Sequence, residues 1–257
     1  MSRPSLPRGA TSAVAALVSV TLLAGIVVAA TGAAGSGSTA AAPPAPVDTT
    51  PATLGPAGVP ALDTAIPAFN SARAAVLSDT GQLAQLAGGI DGIAAAAATG
   101  DPTQVRGQAQ LPALLAQTHK VLDRLPGEAD RYGDALTALA AAARNLDGSS
   151  ATAIDGVVRA GRAELRADRD FTTAATAAAA AYDVFAPLEA RWYDRAVSGW
   201  YRSTREAADA YAVFLDPVRR QLTAAQQQLE SSDRDRAAAA AATSAAVRRA
   251  ETLLASR

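Results

Sequence analysis

The sequence predicts an all-α domain: an elongated antiparallel bundle of about five or six helices over residues 61–257, following an N-terminal apolar segment and a proline-rich spacer. Three observations predict it. Beyond Leu62, large apolar residues recur at intervals of three and four, the spacing of one helix face. No stretch alternates β-branched with polar residues as a half-buried strand would. Alanine, the strongest helix former, supplies 69 of the 257 residues. Because Ala buries little area, helices of this composition must be long to gain enough packing energy.

The first helix carries Leu62, Ile66, Phe69, Val76, Leu83, Ile90 and Ala97 on one stripe, with Arg73, Thr80 and Ala87 at the intervening places. Gly100 stops it, and Asp101-Pro102 restarts the chain with a capping residue followed by proline. A second helix places Leu111, Leu115, Leu122 and Leu125 together, with Pro112 kinking it or delaying its start. Pro126-Gly127 then predicts a turn, after which Ala129, Tyr132, Leu136, Leu139, Ala143 and Leu146 line a third helix.

The fourth helix runs from about Ser150 to Phe185, with Phe171, Ala175, Ala178, Tyr182 and Phe185 in its second half and Pro187 ending or bending it. A fifth places Tyr193, Val197, Trp200, Ala207, Tyr211, Phe214 and Val218 on one stripe, with a kink at Pro217 before Leu222, Ala225 and Leu229. The last spans about Asp233 to Leu254 and is mostly Ala. Short connections make neighbouring helices antiparallel.

Ahead of the helices, Arg3 and Arg8 precede an uncharged run from Ala13 to Ala30, and the next basic residue is Arg73. This asymmetry predicts a cytoplasmic N-terminus at 1–8 and a membrane anchor within 9–34, with the rest of the chain outside. The run falls between a signal-peptide core and a full span, and Val28, Ala29 and Ala30 offer small residues for cleavage before Thr31. A cleaved signal peptide, releasing a secreted soluble protein, is therefore the alternative. Residues 35–60 are rich in Pro, Ala and Thr and read as a disordered spacer.

Composition excludes much chemistry. The chain has no Cys and one His, so thiol catalysis, disulfides and Cys/His metal sites have no ligands to use. His119 has Ala116 three residues before it, so the Glu-x-x-His pattern of carboxylate-bridged metal bundles is missing. Asp168 and Asp170, two apart on a helix, point in different directions and make a poor acid–base pair. With 23 basic and 24 acidic residues there is no electrostatic footprint for nucleic acid. No catalytic residue, cofactor site or metal site is expected.

Eight of the eleven aromatic residues fall between Tyr182 and Phe214. The pairs Trp192-Tyr193 and Trp200-Tyr201, with Arg195 and Arg202 among them, are the candidate contact residues for a partner or ligand. The stripe through Tyr193, Val197 and Phe214 predicts Trp200 in the core and directs Trp192 and Tyr201 outward. The functional expectation is a non-enzymatic protein of the cell envelope, held to the membrane by its N-terminal helix and acting as an interaction or structural module for a protein partner. The alternative is a ligand-binding or sensory ectodomain that uses the aromatic and arginine cluster.

Overall fold

The chain from residue 51 to 255, apart from 106, 145 and 147, is described by a computed structural model. Those residues form five α-helices and one 3-10 turn and include no strand. The helices are α1 (Pro60–Ala98), α2 (Leu111–Ala143), α3 (Gly148–Val197), α4 (Thr204–Leu215) and α5 (Arg219–Ala255), with the 3-10 turn at Gln108–Gln110. The N-terminus (1–8), the anchor or signal peptide (9–34) and the spacer up to residue 50 lie outside the described residues.

Residue pairs give the directions. Phe69 meets Tyr132 and Asp79 meets Arg124, so α2 descends as α1 rises. Tyr132 also meets Glu164 of α3, while Tyr182 further along α3 reaches Asp91 of α1. On α5, Gln226 bonds Asp91, Arg236 bonds Thr80 and Ala240 bonds Arg73, so α5 descends antiparallel to α1. The apolar core lies between these helices in three successive layers, centred on Phe69 and Leu139, on Leu125 and Phe171, and on Ile90, Phe185 and Trp192.

Two predicted boundaries are corrected. Pro126-Gly127 makes no turn: α2 runs straight through it, so the predicted second and third helices are one. Pro187 likewise sits inside α3, which extends to Val197. An internal proline removes one helical hydrogen bond at a cost of about 3 kcal/mol. Leu125, Ala129 and Tyr132 around Pro126, and Phe185, Glu189 and Trp192 around Pro187, are all buried on one face, and that packing holds the helix across the gap. Breaks fall at Gly199, near the start of the predicted fifth helix, and between α4 and α5 where Pro217 was expected to kink it, while α5 continues unbroken through the expected start of a sixth.

The last part of the predicted spacer is also ordered. Residues 51–59 run along the start of α1, where Asn70 pairs with both backbone groups of Leu54 (3.0 and 2.9 Å) as a neighbouring strand would. The Asp63 carboxylate accepts from the Ala57 amide (2.6 Å), and Leu54 is buried beside Val247, Ala250 and Leu254 of α5. Composition concealed this because a single large side chain, Leu54, is inserted among prolines and small residues.

Two glycines permit close approach. A Cβ on Gly161 would lie 2.6 Å from Leu136 Cδ2 and 3.0 Å from the Tyr132 hydroxyl, so α2 and α3 touch there only without a side chain. Gly100, at φ +77°, would drive a Cβ to 2.0 Å from the Thr204 carbonyl, so the turn after α1 fits beneath α4 as glycine alone.

Candidate functional site

The aromatic segment divides at the end of α3. Gly199 takes a left-handed conformation (φ +71°), its amide bonds the Ala196 carbonyl (3.2 Å), and the Trp200 amide bonds the Arg195 carbonyl (3.0 Å). This is a Schellman motif, in which the residue after the glycine packs on the one five positions earlier. Here that contact is Trp200 on Arg195, whose guanidinium carbon lies 5.6 Å from the Trp200 ring centroid and 5.2 Å from that of Phe214. The chain restarts at Ser203, whose hydroxyl accepts from the Glu206 amide (3.1 Å) while Glu206 accepts from the Arg202 amide (2.8 Å). Ser203-Thr204-Arg205-Glu206 is a capping-box pattern that marks the start of α4 in the sequence.

The two tryptophans therefore exchange the roles expected of them. Trp192 is 0% exposed, its indole donates to the Ala207 carbonyl (2.8 Å), and its ring meets Tyr211 edge-on at 4.9 Å. Trp200 is 69% exposed, and Val197 (55%) and Val213 (67%) are exposed with it. Tyr193 and Tyr201 are half-buried, so Tyr201 is not the outward-facing ring expected, and its hydroxyl is enclosed with no partner among the described residues. Arg195 and Arg202 are exposed. Of the six candidate residues, the structure brings Arg195 and Trp200 together at the surface, joined by Phe214, and sends Trp192 into the core.

A second polar constellation lies deep between the helices. Arg73 forms a two-pronged ion pair with Glu164 (2.9 and 3.1 Å) and also donates to the Ala52 carbonyl (3.1 Å), the Ala240 carbonyl (3.0 Å) and the Ser244 hydroxyl (3.0 Å). Glu164 additionally accepts from Tyr132 (2.8 Å). One guanidinium thus joins the segment before α1 to α1, α3 and α5, and Glu164 adds α2. The sequence signal was available, since Arg73 and Thr80 occupy stripe positions of α1 and both are buried. Beyond Thr80, Arg236 of α5 donates to its hydroxyl (3.1 Å) while stacking over Phe171 at 5.1 Å.

Two carboxyl groups, Asp168 and Glu189, are buried with no partner at hydrogen-bonding distance among the described residues. Both oxygens of Asp168, one turn beyond Glu164, are enclosed without a partner among the described residues. Desolvation, reinforced by the Glu164 charge, pushes Asp168 up to about 7. Glu189, beneath Trp192 and Tyr211, is pushed up to about 7 by desolvation; the nearby Tyr211 hydroxyl opposes this but is already bonded to the Ala94 carbonyl (3.3 Å). Asp170 is exposed and faces away from Asp168, and His119 lies at the surface, 3.1 Å from Asp183. No group of three His, Cys, Asp or Glu side chains able to hold a metal occurs among the described residues.

These carboxyl groups set a pH dependence whose sign follows from linkage. In the unfolded chain they lose their protons near pH 4, whereas in the fold they keep them to about 7, so their contribution to stability is full below pH 4 and is lost as pH rises through 7. Asp168→Asn removes one of the two ionisations without changing shape. We expect the variant to melt at least about 4 °C higher than wild type at pH 8, and by a smaller margin at pH 5, in parallel thermal scans. Equal margins at both pH values would show that Asp168 does not titrate between them.

Near the opposite end of α3, Gly148, Thr152, Gly156, Arg159, Arg249 and Leu253 line an open surface groove of about 480 Å³. It shares no residue with the aromatic cluster. No described helix is long and apolar enough to cross a membrane. Comparison with known protein families, with curated proteins and with solved structures returns no match.

Proposed function

We propose that this chain is a non-enzymatic interaction module of the cell envelope: an elongated antiparallel helical bundle, tethered through the apolar segment at 9–34, that docks a protein partner at the α3–α4 corner. The observation that carries this reading is Trp200, the largest exposed apolar side chain, held outward by the Schellman motif at Gly199 and by its stack on Arg195. Exposed tryptophans with an arginine beside them are what interface hot spots are made of. The supporting groups are buried. Trp192 and Tyr211 lock α4 to α3 beneath the corner, so little ordering entropy remains to be lost on binding.

Tethering rests on the basic and apolar asymmetry of the first thirty residues. Chain direction fits the same picture. Residues 51–59 enter at the start of α1, and α1 spans 39 residues, which at about 1.5 Å per residue separates that entry from the α4 end by about 57 Å. A corner presented at the far end of the helices is accessible to partners away from the point of attachment.

The test is a photoactivatable amino acid at position 200, compared with the same residue at the exposed Lys120, in cells that produce the protein. We expect an adduct of defined mass from position 200 and none from position 120. Equal labelling from both positions, or none from either, would remove the corner as a docking surface.

A further inference from the structure

We propose that Arg195 is a carboxylate receptor, and that the partner segment docked at the α3–α4 corner presents an Asp or Glu side chain flanked by a large apolar one. This rests on reading the corner as an interaction surface and specifies the chemistry it recognises. The guanidinium of Arg195 lies between two rings, 5.6 Å from the centroid of Trp200 and 5.2 Å from that of Phe214. Stacking on rings uses the faces of the guanidinium and restricts its rotamers while leaving its N–H edges free.

No carbonyl, hydroxyl or carboxylate among the described residues accepts from those edges, although Arg195 is exposed. The contrast with Arg236 is direct. That residue also stacks on a ring, Phe171, but spends its N–H groups on Asp233 (2.9 and 2.6 Å) and Thr80 (3.1 Å). Arg73, Arg124 and Arg219 likewise donate to carboxylates. A planar donor fork, pre-oriented and unspent, matches the two oxygens of a carboxylate.

Local charge points the same way. Between residues 190 and 220 six arginines stand against four carboxylates, in a chain whose formal net charge is −1. Two of those four are already engaged, Glu206 with the Arg202 amide and Asp216 with Arg219. The apolar half of the recognised motif is set by Trp200 and Val213, exposed next to the fork and next to Phe214 respectively.

The experiment uses the full chain labelled with ¹⁵N only at tryptophan, which gives one indole resonance for Trp192 and one for Trp200, the latter assigned by its loss in Trp200→Phe. The probes are acetyl-Leu-Asp-Leu-amide and its isosteric counterpart acetyl-Leu-Asn-Leu-amide. We expect the Asp peptide to shift the Trp200 resonance in a saturable way and leave Trp192 unmoved, and the Asn peptide to bind at least ten-fold more weakly. Arg195→Lys should weaken the Asp peptide at least ten-fold, because a point charge lacks the planar fork, and Arg195→Gln should abolish its effect. Equal shifts from the two peptides, retention of binding in Arg195→Gln, or no shift at the highest concentration overturns the inference. If crosslinking from position 200 succeeds while the peptides fail to discriminate, the carboxylate assignment falls and the interaction surface stands; if both fail, both fall.

Discussion

Arg73→Ala is expected to lower the stability of the domain by about 3–5 kcal/mol, because it leaves the Glu164 carboxylate charged and buried without its counter-ion. The loss reaches beyond the pair. The same guanidinium donates to Ala52, Ala240 and Ser244, so its removal also releases the segment before α1 and one anchor of α5. α5 depends on such anchors, since Leu222, Ala225, Thr243, Val247, Ala250 and Leu254 are its only buried residues among those described, with none between Ala225 and Thr243. Denaturant unfolding followed by circular dichroism measures the effect. Replacing the whole constellation at once, with Arg73→Met, Glu164→Leu and Tyr132→Phe, should recover more than half of the loss, because no buried charge is then stranded. A triple variant as unstable as Arg73→Ala would show that the ion pair itself, rather than its abandoned partner, carries the stability.

Trp192→Ala is expected to cost about 3–5 kcal/mol, as for other large buried rings. Its ring fills the third core layer and meets Tyr211 at 4.9 Å, and its indole N–H satisfies the Ala207 carbonyl inside α4. Losing both leaves α4, a helix of 12 residues, held mainly by Tyr211 and Ala207, so the corner should loosen before the rest of the fold melts. Hydrogen exchange in α4 would report this as protection lost there first. Trp200→Ala should change stability by less than about 0.5 kcal/mol, since its side chain is mostly in solvent. A Trp200 variant as unstable as the Trp192 variant would contradict the division of the segment into core and surface.

How much of this was legible in the sequence depends on what interrupted the pattern. The three-and-four rhythm disclosed the helical character of the described residues, and every residue placed on the stripe of α1 except Ala87 is buried, Arg73 and Thr80 among them, while Ala65, Asp79, Leu86 and Ile93 widen the buried face beyond it. The interruptions misled. Reading Pro187 as an end stopped the stripe Phe171, Ala175, Ala178, Tyr182, Phe185, when its continuation by four and then three reaches Glu189 and Trp192, both buried. Restarting from Tyr193 and running through Gly199 then placed Trp200 on a helix face that does not exist. Glycine at a helix end allows the left-handed turn, whereas a proline within a helix costs one hydrogen bond, so the chain breaks at Gly199 and passes Pro126 and Pro187. The Arg73 constellation was half legible: a polar residue at a core position announces a buried partner, but nothing in spacing links α1 to Glu164, 91 residues away.

Recognition through Trp200 is tested most directly by moving the photoactivatable residue to position 202 and comparing adduct yield in the otherwise wild-type chain and in Trp200→Ala, with thermal melts of both run alongside. The adduct is expected to disappear in Trp200→Ala while the melting temperature stays within about 2 °C of wild type. An adduct of undiminished yield in a variant that still folds would contradict recognition through Trp200.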